Sequence, residues 1–535
     1  MPAPSRTLCR APFGRSIQRC KRGDLPTDVV WRICVRYILR DQRLTLPSMS
    51  SHCRGCLKNC QIFEHRDSPS CDFNEGLRVI PLETVSSPER NAMKDASLIE
   101  GLVAHIAEQE PVRPVGRISR ADGAALHISG LTDKASIGDT LQVYRKRGAP
   151  LRGEVVQILE DSLVMLAEAP PEGVSLNDPV TLLSTALIAP SYQWLGRIID
   201  PSGLPLDGKP LLRGPTARAL LAPPPKAAQR RPFGQRLSTG LNVTNTILPL
   251  VEGQRVGLFA GSGVGKSTLL GQFARHMTAD IVVIAMIGER GRELRHFIEE
   301  VLGPDGLARA VVVAATSDQS PLLRRRCAWT AMAVAEHYRD LGHSVLFLAD
   351  SITRFAEAHR EVAVAAGEAP VLRGFPPSTT HLITSLCERA GPGADNQGDI
   401  TAIFSVLVAG SDMDEPVADI LRGVLDGHIV LDRSIAERGR FPAIDVLRSV
   451  SRSLPAAATE RENKLLSLTR KMLGLYDANS MMITAGLYSN GTDPEIDKAI
   501  KLYPEIESFL AKTEPDDPQR SFSQLELVLR RAGIS

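Results

Sequence analysis

The sequence predicts an α/β protein in which a mainly parallel sheet forms the core, a small β-barrel precedes it and a helical domain follows. Three features of the 535 residues lead to this class. Short β-type runs separated by Gly, Asp and Pro occupy residues 112–186. Longer β-branched runs alternate with helical patterns over 187–455, and beyond Pro455 the β-runs give way to frequent Lys, Glu, Leu and Ala (456–535).

A chain of this length exceeds one ordinary core, so several domains are expected. Residues 1–92 stand apart, with 15 Lys and Arg against 9 Asp and Glu, and with seven of the nine cysteines: Cys9, Cys20, Cys34, Cys53, Cys56, Cys60 and Cys71. Cys53, Cys56, Cys60 and Cys71 offer thiolates to zinc or an iron–sulfur cluster, but their spacing fits no standard pattern. The composition break at Met93 favours reading 1–92 as a disordered basic extension or a misassigned start. Only Cys327 and Cys387 lie beyond it, which reads as a reduced, cytoplasmic main body. No uncharged apolar run approaches the roughly 18 to 20 residues needed to span a bilayer.

Residues 93–111 carry Leu98, Leu102 and Ile106 at helical spacing and read as an N-terminal docking helix. Strands are expected in the barrel at Gly116 to Ser119, Leu126 to Ile128, Thr140 to Tyr144, Glu154 to Leu159 and Ser162 to Leu166. The core strands are expected at Arg255 to Ala260, Ile281 to Ile287, Ala310 to Ala315, Ser344 to Ala349, Thr401 to Ala409 and His428 to Leu431.

Gly261, Ser262, Gly263, Val264, Gly265, Lys266, Ser267 and Thr268 follow the first core strand and open a helical segment, the context a phosphate-binding loop requires. Backbone N–H groups of such a loop curl around phosphate oxygens, and the helix start adds its positive dipole end. Lys266 supplies a point charge to the β and γ phosphates of ATP, and Ser267 is the expected Mg²⁺ ligand. Ala260 replaces the first glycine of the strict pattern without touching the cradle. Glu289, directly after the second strand, is placed to polarise an attacking water, whereas Arg292 and Glu293 read as solvated charges. Asp350 ends an apolar strand and suits a carboxylate that holds Mg²⁺ through water.

Read together, these motifs resemble the hexameric ATPase family of the rotary ATP synthase subunits and the type III export ATPases. The likeness extends through Leu195 to Asp200, Asp350 to Phe355, Arg373 to Ser378, Glu388 to Gly391 and Pro442 to Ser451, covering roughly Met93 to Ser535. It implies a RecA-like core, an arginine finger at Arg452 reaching a neighbour's γ-phosphate, and Phe441 packing on adenine. Ala260 and the segment Leu487 to Asp497 resemble the flagellar branch; Thr379, Thr380 and His381 depart from the apolar residues expected there.

The implied function is ATP hydrolysis driving flagellar type III export as a homohexamer, with ATP and Mg²⁺ as cofactors. The implied partners are stator and central-stalk proteins, export substrates and chaperones, at the periphery of the inner-membrane export gate. An injectisome ATPase, a rotary synthase catalytic subunit and a hexameric RNA helicase are the alternatives. The balanced charge and 4% aromatic content give no reason to expect nucleic acid. A non-enzymatic nucleotide-binding subunit would lack Glu289.

Overall fold

The computed structural model describes residues 99–101, 103–107, 112–371, 373–408, 413–514 and 517–531. The basic, cysteine-rich extension and its candidate metal ligands lie outside them. Residues 99–101 and 103–107 are helical, and Ile99, Val103 and Ile106 are exposed. His105 Nδ1 lies 2.8 Å from Arg213 Nη1.

Strands β1 (Val115–Asp122), β2 (Ala125–Ser129), β3 (Asp139–Val143), β4 (Leu151–Ile158), β5 (Leu163–Ala167) and β6 (Pro179–Thr185) close into a barrel in the order β1-β2-β5-β4-β3-β6. Ile118, Leu126, Ile128, Leu141, Val143 and Val155 fill its interior. The strand β6 is not among the runs picked out from the sequence, because Pro179 at its start weakens the β signal.

The central sheet contains β7 (Arg197–Ile199), β8 (Arg255–Ala260), β9 (Ile281–Glu289), β10 (Ala310–Thr316), β11 (Val345–Asp350), β12 (Asp399–Leu407), β13 (Gly427–Leu431) and β14 (Ile444–Ser451). Their spatial order is β14-β13-β8-β12-β11-β9-β10-β7, and all neighbours are parallel except β13 and β14. Continuous apolar runs suit strands buried on both faces. Along β9, Val283, Ala285 and Ile287 face one core while Val282, Ile284 and Met286 face the other.

The first face is covered by α2 (Pro321–Asp340), α3 (Ile352–Ala365) and α4 (Ser378–Arg389). The second is covered by α1 (Lys266–His276), α5 (Glu460–Thr484), α6 (Pro494–Leu510) and α7 (Pro518–Arg531). The edge strands β7 and β14 were not expected as strands. One has three residues, and the other carries Asp445, Arg448 and Ser449 among its apolar positions.

Barrel and sheet meet at a buried charge cluster. Arg325 of α2 pairs with Glu154 of β4 at 2.7 Å, and Arg326 pairs with the same carboxylate at 3.3 Å and with Glu168. Arg325 also stacks on Trp329, 4.8 Å from the ring centroid. Beside this cluster Val362 of α3 packs with Leu166 and Leu322, so the helix that starts next to Asp350 ends against the barrel.

Candidate nucleotide site

The loop Gly261 to Gly265 leaves the end of β8, which lies between β12 and β13 deep in the sheet. Gly263 and Gly265 have φ of 76° and 91°, and Gly265 occupies the N-cap of α1, a left-handed position that a side chain would strain. Leu269, Leu270, Phe273 and Ala274 bury one face of α1, leaving Ser262, Ser267 and Thr268 exposed at its start, while Val264 is buried.

Two neighbouring strands deliver carboxylates to this point. Met286 is in register with Asp350, and Glu289 follows on the same end of β9. A bulge between Ile287 and Glu289, with Gly288 at φ 68°, turns Glu289 toward the loop. Lys266 Nζ pairs with Asp350 Oδ1 and lies 3.9 Å from Glu289 Oε1. Asp350 is only 2% exposed, and its Oδ1 also accepts from Ser405 Oγ at 2.8 Å.

Burial and the nearby Asp350 charge push the Glu289 carboxyl up from 4.5 to about 7, with Lys266 opposing them. Glu293 contributes as well, because it shares a hydrogen bond with Glu289 and is itself held below the usual range by it. Glu293 is exposed, as a solvated charge would be, and lies four residues beyond Glu289 in the chain. Arg290 pairs with it at 3.0 Å.

Phe441 is half exposed beside the loop: a Cβ on Gly265 would lie 3.6 Å from its ring. Arg440 fixes this turn by donating to the Pro442 and Ile444 carbonyls at 3.0 and 2.9 Å and to Glu507 of α6 at 3.1 Å.

Arg452 does not join the other candidates. Ser451 is in register with Gly427, at the opposite end of β13 from Leu431, which pairs with Ala260 at the loop. Four residues at roughly 3.3 Å each put about 13 Å of strand between the two ends. Arg452 is exposed there, donating to the Arg422 carbonyl at 3.2 Å.

Arg389, within a motif that carries the resemblance, has a packing role. It makes two bonds to Glu336, at 2.9 and 2.7 Å, and one to the Leu220 carbonyl at 2.7 Å, all buried.

The donor set suits a hard divalent ion. The Ser267 hydroxyl, next to Lys266 in the chain, and the Asp350 carboxylate, paired with Lys266, are oxygen donors, and Mg²⁺ usually takes one or two protein oxygens with phosphates and water completing the shell. Among the described residues no group of three His, Cys, Asp or Glu could hold a metal by itself, so phosphate oxygens would have to share the work.

A phosphate loop on a parallel sheet, with an acid and a lysine at the strand ends, defines a P-loop nucleotide hydrolase carrying a barrel before the sheet and helices after it. Residues 240–451 match the ATP synthase alpha/beta family nucleotide-binding domain, and residues 458–526 match the T3SS EscN ATPase C-terminal domain. The flagellum-specific ATP synthase of Caulobacter vibrioides is 42% identical over 441 residues, 81% of this chain and 99% of that one. The same protein of Salmonella typhimurium is 41% identical, over 80% of this chain and 97% of its own. Among solved structures, assembled EscN from the enteropathogenic E. coli type III secretion system has a TM-score of 0.72 and 36% identity, covering 77% of this chain and 100% of its own. EscN in complex with its central stalk EscO gives 0.71 at the same identity and coverage. The chain belongs to the flagellum-specific ATP synthase branch of the ATP synthase alpha/beta family and is an ATPase.

Proposed function

We propose that this chain hydrolyses ATP to drive flagellar type III protein export, working as a homohexamer. The observation that carries the reading is the split site: Lys266, Glu289 and Asp350 converge at one end of the sheet while Arg452 projects from the other. A neighbour in a ring would bring its Arg452 to this chain's γ-phosphate.

Lys266 and the loop N–H groups bind and orient the phosphates, and Phe441 packs on the base. Glu289 in its ionised form orients water for in-line attack and takes up its proton, and Arg452 of the neighbour stabilises charge as the γ-phosphate leaves. Ser267 and Asp350 would hold Mg²⁺, which supplies charge neutralisation between the phosphates. The high identity to flagellar relatives supports flagellar rather than injectisome cargo.

By analogy with EscN on its stalk, the ring would take a central-stalk protein, with stator, substrates and chaperones as further partners at the cytoplasmic face of the export gate. No described helix is long and apolar enough to cross a membrane, so attachment there would be peripheral.

Complementation tests the assignment. Lys266→Ala, expressed at wild-type level in a strain lacking the native chain, should lose both ATP hydrolysis and secretion of flagellar subunits into the medium. Undiminished secretion from a hydrolytically dead chain would refute ATP-driven export.

A further inference from the structure

Ser405 is a polar residue in the middle of an apolar run on β12, Ile403-Phe404-Ser405-Val406-Leu407, and it is fully buried. A hydroxyl placed there costs free energy unless it finds a partner. Leu258 and the Ala349 end of β11 flank this part of the strand, and the partner it finds is Asp350 Oδ1, at 2.8 Å.

That bond differs from a routine satisfaction of a core hydroxyl. Asp350 Oδ1 has a second donor, Lys266 Nζ, and Lys266 is the residue proposed to bind the phosphates. Ser405 then remains as the donor fixed by the rigid sheet. It holds Oδ1 and so fixes the rotation of the carboxylate, while Oδ2 carries neither of these two bonds. We infer that Ser405 is a positioning residue for the metal step: it fixes the Asp350 carboxylate in the orientation that receives the Mg²⁺ hydration shell. This inference rests on the reading of Asp350 as the metal-side carboxylate.

Partners of this kind behind a metal-side ligand typically contribute about 10- to 100-fold in metal affinity or activity. The test measures binding of a fluorescent ATP analogue to the full chain with and without Mg²⁺, beside the Mg²⁺ dependence of hydrolysis. Ser405→Ala is expected to bind the analogue normally without Mg²⁺, to lose at least about tenfold of the tightening that Mg²⁺ confers, and to need correspondingly more Mg²⁺ for half-maximal turnover. Ser405→Thr keeps the hydroxyl on a β-branched frame suited to a strand and should restore both.

Asp350→Asn separates the two readings. If it loses the Mg²⁺ effect while Ser405→Ala keeps it within twofold of wild type, the positioning role is overturned and the role of Asp350 stands. If Asp350→Asn also keeps the full Mg²⁺ effect, both are overturned. An equal defect in Ser405→Ala and Ser405→Thr would assign the loss to packing and overturn the positioning role as well.

Discussion

Glu289 should impose an unusual pH dependence on this ATPase. Its carboxyl titrates at about 7 because it is buried beside Asp350 and hydrogen-bonded to Glu293, with Lys266 only partly compensating. A group with that value is about one-tenth ionised at pH 6 and nine-tenths at pH 8. If the ionised form polarises water, kcat/KM, which reports groups of the free enzyme, rises about tenfold over this interval. An ordinary glutamate would be ionised throughout and give a flat profile. ATP also ionises near neutrality, so the decisive comparison is with Glu293→Gln under identical substrate conditions. Removing that charge removes a cause that raises the Glu289 value, and the acid limb should move to lower pH. Superimposable profiles for the two proteins would refute the coupling. Stability runs the other way: with a folded value above the unfolded 4.5, the contribution is fully present below about 4.5 and lost as pH rises through about 7. Glu289→Gln should therefore denature less readily than wild type at pH 8.

Further outcomes follow from other contacts. Glu289→Gln should bind ATP and barely turn it over, as seen by equilibrium binding and phosphate release; near-wild-type turnover would remove Glu289 from the chemistry. Arg452→Ala should be inactive alone yet recover activity when mixed with Lys266→Ala, since a junction between them can unite an intact loop with an intact arginine. No recovery at any ratio, with mixing demonstrated, would count against donation by a neighbour. Arg389→Met strands the buried Glu336 carboxylate and should cost about 3–5 kcal/mol in denaturant unfolding, with little change in ATP affinity if the protein is assayed while folded.

The parts of the fold that were readable from sequence are those whose residues report their surroundings locally. Strands buried on both faces, such as β9 and β11, are unbroken apolar runs, and the loop announces itself because only glycines fit its turns. Edge strand β14 escapes that logic, since Arg448 and Asp445 are tolerated where one side meets solvent. Ser405 escapes it for another reason. Its contact with Asp350 comes from the lateral order β12-β11, which is not a property of the residues next to it in sequence. Arg389 shows that a residue can carry the family likeness through packing: it ties α4 to α2.

The Arg325, Arg326, Glu154 and Glu168 cluster has a consequence for how the particle responds to ionic strength. Dissolved ions screen exposed charges over about 8–10 Å but reach buried pairs far less. Raising salt should weaken contacts between subunits wherever exposed groups such as Arg452 provide them, while each barrel stays seated on its own α2. A moderate salt step would then loosen such contacts before it loosens the barrel.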